Sequence, residues 1–289
     1  MDTSENNQES QAGGLNSQTS SQSIPDVSQS PRSSSSSFFR FFLGEPTPLL
    51  DTVDDYRRDK LYWFPCIAGL IGLLIGMSLL YLSFSLTTDD TSSHSPVAQL
   101  FWGLMPYQLF TFGFCMLAML PMILRDGFRK SLDLVTPAPP CKTLAITVLK
   151  LLLMLYPSVL LVNHFSELLC IKLGIQMNEQ LVSEVGKNAG QLYWICAAVC
   201  TVVLAPVTGE IMLRLVLNRA IRSIMPLWAT LLSTLAFTFM HSGTPQYWPA
   251  LFIVGLFLIR ARRVMGLQCA ILLHSTYNLL AFLFILLWN

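Results

Sequence analysis

One uncharged stretch decides the fold class of this chain: residues Phe64 to Leu86 read FPCIAGLIGLLIGMSLLYLSFSL. An α-helix rises about 1.5 Å per residue and the hydrocarbon core of a bilayer is about 30 Å thick, so a span needs about 20 mostly apolar residues. The stretch is therefore long enough to cross a bilayer. The whole chain agrees, because 53% of its 289 residues are hydrophobic and 12% are charged, whereas soluble domains carry about 25% charged residues. An ordinary soluble globular protein is excluded.

Six further apolar stretches follow the first. They are Val97 to Leu124, Thr143 to Ile171, Ala189 to Gly209, Ser223 to Met240, Thr244 to Ile259 and Val264 to Asn289. Backbone groups in hydrocarbon must be satisfied within the chain, so each stretch predicts a helix. The fifth and sixth of the seven stretches are short, which leaves tilting, a re-entrant path or shielding by neighbouring helices open for both. We expect an all-α, polytopic integral membrane helical bundle with about seven spans.

The positions of Lys and Arg predict how the chain is oriented. Cytoplasmic loops carry an excess of these residues. Here they precede the first stretch and follow the second, fourth and sixth: Arg57, Arg58, Lys60, Arg125, Arg129, Lys130, Lys142, Arg219, Arg222, Arg260, Arg262 and Arg263. The opposite side has only Lys172 and Lys187. We therefore expect a multi-pass protein of the cell membrane with its amino end in the cytoplasm.

The chain divides into three predicted regions. Residues 1–60 form a Ser-rich cytoplasmic tail that is too polar to offset its ordering entropy, so we expect disorder. The tail carries a juxtamembrane patch, Phe38 to Leu43, which suits either the membrane interface or the protein's own cytoplasmic face. Residues 61–142 hold two spans and residues 143–289 hold five. An amphipathic helix is expected on the outer face over Gly174 to Lys187.

Charge and cysteine content exclude other classes. A net charge of +1 provides no basic surplus for counterion release, so no nucleic-acid partner is expected. The seven cysteines are odd in number and contain no C-x-x-C pair. We interpret them as packing residues rather than a disulfide framework or a zinc ribbon.

Ionisable residues within the predicted spans indicate where function lies, because burying them in a membrane is costly. Glu210 and Arg214 are four residues apart and can pair on one helix face. His241 closes the fifth stretch, and His274 and Asn278 share a face of the last one. Each feature alone is typical of a structural ion pair, a hydrogen-bonded histidine or an interhelical hydrogen bond. Together they supply the acid, base and neutral donors that amide hydrolysis requires.

Three motifs occur in order: Glu-x-x-x-Arg from Glu210, Phe-x-x-x-His from Phe237, and His-x-x-x-Asn from His274. This order resembles the CAAX protease and bacteriocin-processing family of intramembrane endopeptidases, over roughly residues 160–289. The resemblance implies a helical membrane fold with a water-filled cavity open to the cytoplasmic leaflet. It also implies a CAAX prenyl protease type II-like activity, which hydrolyses a peptide bond near the end of a lipidated or membrane-associated substrate.

The resemblance further implies a role for each motif residue. His241 would assist the attacking water, while His274 and Asn278 would hold the developing negative charge. Arg214 would pair with Glu210 and fix the helix. No cofactor is implied, although the same constellation has been read as a metal site and zinc stays open. The expected partners are the lipid bilayer and the peptide or protein substrate.

One position departs from the family pattern, in which the first motif begins Glu-Glu. Gly209 stands at the place of the first Glu, and Glu210 would lie about 100° away from it on a regular α-helix. Glu210 therefore cannot simply replace the missing carboxylate. Either Gly209 loosens the helix so that Glu210 turns inward, or Glu167 in the third stretch supplies the base. Two other functions stay open: a catalytically impaired pseudoprotease acting as a binding or immunity scaffold, and a small transporter using the intramembrane charges.

Overall fold

The computed structural model describes residues 58–87, 96–134, 139–175, 190–241 and 245–288. The Ser-rich tail, the patch from Phe38 to Leu43 and nearly all of the amphipathic helix predicted over Gly174 to Lys187 lie outside the described residues. All seven cysteines are described, and all are free thiols. Five of them are buried, as expected of packing residues, whereas Cys141 is exposed and Cys196 is half-buried.

Helices account for the regular structure, and no strand occurs within the described ranges. They are α1 (Trp63–Thr87), α2 (Pro96–Asp126), α3 (Phe128–Ser131), α4 (Cys141–Leu173), α5 (Gln191–Arg222), α6 (Ala229–Phe239), α7 (Trp248–Met265) and α8 (Leu267–Trp288). A short 3₁₀ turn, Pro245–Tyr247, leads into α7. The all-α prediction is confirmed.

Within the described ranges, five helices are long and apolar enough to cross a membrane: α1, α2, α4, α5 and α8. Large apolar side chains are exposed along them, such as Leu74, Leu117 and Leu153, which is expected where a helix faces lipid rather than water. The apolar helix α6 has only 11 residues, in keeping with the short fifth stretch. The chain is thus a multi-pass membrane protein, while the count of seven spans and the cytoplasmic amino end stay predictions.

The ends of four helices differ by three residues or more from the predicted stretches, among them the sixth, which the sequence predicts over Thr244 to Ile259 and which runs over Trp248–Met265. The helix of the fourth stretch continues past Gly209 to Arg222 as α5. The fifth begins only at Ala229, because Pro226 lacks an N–H and its ring disfavours a helical conformation in the preceding residue. The seventh begins at Leu267 because Gly266, with φ 78°, ends α7; glycine adopts this positive φ without steric cost.

The helix α5 changes its hydrogen-bonding pattern twice along its length. Val199–Leu204 and Glu210–Leu217 are π-helical, and the α-helical turn Ala205–Gly209 separates them. A π-helix bonds i to i+5, so each turn contains about one residue more than an α-turn. Residues beyond such a turn are therefore rotated relative to their place on a regular α-helix.

Two buried apolar clusters hold the Glu210–Leu217 segment of α5 among its neighbours, and a third packs the start of α5 against Phe282 of α8. The larger one packs α4, α6, α7 and α8 together with Leu213 of α5. The second packs α1 and α2 against Ile211, Met212, Leu215 and Val216. Because apolar residues of Glu210–Leu217 serve both clusters, the polar residues of this segment are held at fixed positions between them.

Candidate active site

Glu210 and Arg214 form a buried ion pair at the centre of the described helices. Both residues are 0% exposed, and Arg214 Nε lies 3.8 Å from Glu210 Oε2. Arg214 Nη1 also donates a hydrogen bond of 3.0 Å to the Ser233 carbonyl oxygen of α6. Its guanidinium carbon lies 4.8 Å from the centroid of the Phe237 ring, within cation–π range. The pair therefore joins α5 to α6, and these contacts offset part of the cost of burying two charges.

The second oxygen of Glu210 contacts a histidine on α8. His274 Nδ1 lies 3.1 Å from Glu210 Oε1, and both groups are buried. An ionised carboxylate only accepts hydrogen bonds, so the ring donates through Nδ1–H and a neutral ring carries its lone pair on Nε2. A carboxylate in this position fixes the tautomer and the orientation of the imidazole. A histidine oriented by a carboxylate in this way can act chemically as a general base.

The structure brings Glu210 to His274, while the expectation that Glu210 cannot simply replace the carboxylate missing at position 209 stays a prediction. Glu210 faces His274 although Gly209 itself has regular helical angles, φ −62° and ψ −45°. The π-helical segment Val199–Leu204 lies upstream, and such a segment inserts about one residue into the helix. Each later side chain is thereby turned back by about 100°, to the direction its predecessor would have on a regular α-helix. Glu210 thus turns inward, but not through a distortion at Gly209.

Position 209 also borders His274. A Cβ built on Gly209 would lie 4.0 Å from His274 Cε1 and would meet no nearer atom. A side chain at this position would therefore point into open space beside the imidazole.

His241 follows the last turn of α6 and reaches the same cluster through Phe237. Its Nδ1 lies 2.9 Å from the Phe237 carbonyl oxygen. A neutral ring donates its Nδ1–H to this carbonyl, so its lone pair lies on Nε2. The Phe237 ring centroid lies 5.1 Å from that of His241 and 5.7 Å from that of His274. Phe237 is 3% exposed and contacts both imidazoles and Arg214.

Asn278 lies one turn beyond His274 on α8, but it contacts a different part of α5. Its Nδ2 donates a hydrogen bond of 2.7 Å to the carbonyl oxygen of Thr201. Thr201 lies within the first π-helical segment. The side-chain amide is thus engaged with backbone rather than with His274.

The other carboxylate considered, Glu167, is half-buried on α4. It takes part in no ion pair among the residues that the structure describes. These same ranges contain no group of three or more His, Cys, Asp or Glu side chains that could hold a metal. A catalytic zinc site usually takes three protein ligands, and a zinc ion at this site stays a prediction.

Two residues that contact Arg214 were not predicted from the sequence. Ser233 accepts through its backbone, and a Cβ on Gly255 of α7 would come 3.1 Å from Arg214 Nη2 and 2.8 Å from Thr234 Cγ2. Two signals for them were present in the sequence: a glycine inside an apolar stretch, and hydroxyl residues at helical spacing on α6, namely Thr230, Ser233, Thr234 and Thr238.

Comparison with known proteins gives one match. Residues 191–280, about a third of the chain, match the family described as type II CAAX prenyl endopeptidase Rce1-like. No curated protein and no solved structure matches the chain. The matched segment begins with α5 and ends within α8, so it contains every motif residue of the site.

Proposed function

We propose that this chain hydrolyses a peptide bond near the end of a membrane-attached peptide. The premise is its match to the Rce1-like family of type II CAAX prenyl endopeptidases. The substrate class we favour is a lipidated or membrane-associated peptide or protein. The expected location is a cell membrane, with the amino end in the cytoplasm. The observation that carries the proposal is the buried contact of 3.1 Å between His274 Nδ1 and Glu210 Oε1.

In the proposed reaction, His274 Nε2 accepts a proton from water as the oxygen of that water attacks the scissile carbonyl carbon. Glu210 accepts the Nδ1–H bond throughout and stabilises the imidazolium that forms. The carbonyl oxygen takes up the negative charge, the C–N bond breaks, and His274 returns the proton to the leaving nitrogen. Water and the peptide are consumed, and a carboxylate and an amine are formed.

His241 has a supporting role in this proposal. Its Nδ1 is engaged by the Phe237 carbonyl, and the lone pair on Nε2 makes it an acceptor for the attacking water. Phe237 holds the two imidazoles and Arg214 against one another. The proposal assigns no step to a metal or another cofactor.

Substitution of the three described histidines tests these roles. We expect His274→Gln to lower kcat/KM for release of the terminal fragment of a prenylated peptide by about 10²–10⁴-fold, the usual contribution of a general base. His241→Gln should also lower it, because the amide that replaces the ring has no basic nitrogen to offer the attacking water. His164→Gln is the matched control, since His164 is exposed on α4. Full activity of the His274 variant would refute its role as the base.

A second candidate function is a binding scaffold without turnover, and Gly209 is the observation that favours it. The open space beside His274 is where an additional carboxylate could stand. If the parent chain is inactive and Gly209→Glu releases peptide, the scaffold is the better account. Robust turnover by the parent chain dismisses it.

A further inference from the structure

Pro206 leaves one backbone carbonyl of α5 without a donor within the helix. Proline has no N–H. In an α-helical register the carbonyl of residue 202 would lack its i+4 donor, and in a π-helical register the carbonyl of Thr201 would lack its i+5 donor. The Ala205 N–H, the remaining alternative for Thr201, donates to the Cys200 carbonyl instead. The Thr201 carbonyl is therefore the one that has no backbone donor within the helix.

Asn278 of α8 supplies the missing donor. Its Nδ2 lies 2.7 Å from the Thr201 oxygen. The Thr201 carbonyl is partly buried, and a backbone acceptor shielded from water without a partner is costly. This bond therefore favours the register in which Thr201, rather than residue 202, needs an external donor. That register is the π-helical one.

The register of Val199–Leu204 determines where Glu210 points. The inserted residue turns Glu210 back by about 100°, which brings its carboxylate to His274. His274 and Asn278 are one turn apart on α8, so the same helix provides both the partner of Glu210 and the amide that keeps Glu210 turned towards it.

We propose that Asn278 is a positioning residue, which selects the π-helical register of α5 through the Thr201 carbonyl and so directs Glu210 to His274. The consequence for catalysis rests on the proposed function, whereas the control of register does not. One N–H of the Asn278 amide is engaged by the Thr201 carbonyl, and an oxyanion role would use its second N–H, so the test below separates the two roles.

A double-mutant cycle on stability tests this inference without any need for activity. The parent chain is measured in lipid–detergent micelles. There the Tm loss of the double variant Glu210→Gln/His274→Ala should be smaller than the sum of the two single losses, because the two residues are in contact. In the Asn278→Ala background the two Tm losses should become additive. An unchanged coupling in that background would overturn the inference.

Three further variants sharpen the test. Thr276→Ala is the matched control, since it removes a hydroxyl that bonds to the Leu272 carbonyl within α8, and it should leave the coupling intact. Asn278→Asp replaces Asn278→Ala if the latter fails to fold, because an ionised carboxylate of the same shape cannot donate. In a Pro206→Ala background, which restores an N–H, the Tm loss caused by Asn278→Ala should shrink; an equal loss would contradict the role of Pro206.

Activity separates this inference from the proposed function. If the parent chain is a peptidase, Asn278→Ala should lower kcat by about 10²-fold with little change in KM, the effect of a misplaced catalytic group. An inactive parent chain would refute the proposed function, yet the stability cycle would still decide the role of Asn278. A fall in kcat with an intact Glu210–His274 coupling would support an oxyanion donor and refute the positioning role.

Discussion

At the scale of single residues, Arg214 is the group on which the site depends most. Its guanidinium is fully buried and contacts Glu210, the Ser233 carbonyl and the Phe237 ring. Its Nε and Nη2 atoms have no hydrogen-bond partner among the described residues. The charge of Arg214 is therefore compensated mainly by Glu210, and removing either partner leaves a buried charge unpaired.

We predict that Arg214→Ala lowers the free energy of unfolding by about 3–5 kcal/mol, the usual cost of breaking a buried ion pair from one side. The matched control is Arg125→Ala, because the side chain of Arg125 is 59% exposed and pairs with the neighbouring Asp126. Such a surface pair contributes little to stability. Denaturant titration of both variants measures the difference, and equal small losses would contradict a structural role for Arg214.

At the scale of helices, the close approach of α7 to α6 and Arg214 depends on Gly255. Any Cβ at this position would crowd Thr234 Cγ2 at 2.8 Å and Arg214 Nη2 at 3.1 Å. The first contact is shorter than side chains tolerate, and Thr234 is itself buried. The glycine therefore sets how closely α7 packs on the ion pair.

Gly255→Ala should reduce the free energy of unfolding by about 1–3 kcal/mol, the cost of overpacking a well-filled core. Gly113→Ala on α2 is the opposite case, because a Cβ there would meet nothing within 4 Å. It should stabilise α2 by about 0.5–1 kcal/mol through the lower entropy of the unfolded chain. If both variants shift stability in the same direction, the account of Gly255 is wrong.

Hydrophobic patterning in the sequence predicts the helices but only part of the site. The apolar stretches predict the helices because burial in lipid requires only length and composition. The contact between Glu210 and Arg214 follows from their spacing of four residues on one helix. The contact between Glu210 and His274 could not be predicted, since in our proposal it depends on the hydrogen-bonding register of Val199–Leu204. Asn278, which helps to select that register, lies 77 residues along the chain from Thr201. Apolar periodicity carries no information about such a backbone change.

At the scale of the whole molecule, a cluster of charges joins one end of several helices. Asp133 pairs with Arg219 of α5 at 2.8 Å and with Arg262 of α7 at 2.7 Å. Asp59, which precedes α1, pairs with Arg222 at 2.6 Å. The predicted cytoplasmic loops thus converge on one face. Asp133 adopts φ 57°, a left-handed conformation that Asp tolerates better than most residues.

This cluster predicts how stability depends on pH. Burial raises the pKa of the Asp133 carboxyl, but Arg262 and Arg219 outweigh that effect and lower the pKa from 3.8 to about 2. Because the folded-state pKa lies below the unfolded value, the stabilisation is present above about pH 4 and is lost as pH falls towards about 2. The Tm difference between the parent chain and Asp133→Asn should therefore be constant above pH 4 and shrink below it. A difference that stays constant down to pH 2 would contradict the ion pairs of Asp133.

The central claim is that Glu210, brought to His274 by the register of α5, is the carboxylate of the catalytic pair. The most direct measurement is kcat/KM for peptide release by Glu210→Gln beside Glu167→Gln, in the same lipid vesicles and after Tm has shown that each variant is folded. Both substitutions remove one negative charge and keep the size of the side chain. We predict that Glu210→Gln loses at least about 10²-fold in kcat/KM, while Glu167→Gln keeps parental activity. Loss of activity in Glu167→Gln with full activity in Glu210→Gln would contradict the account.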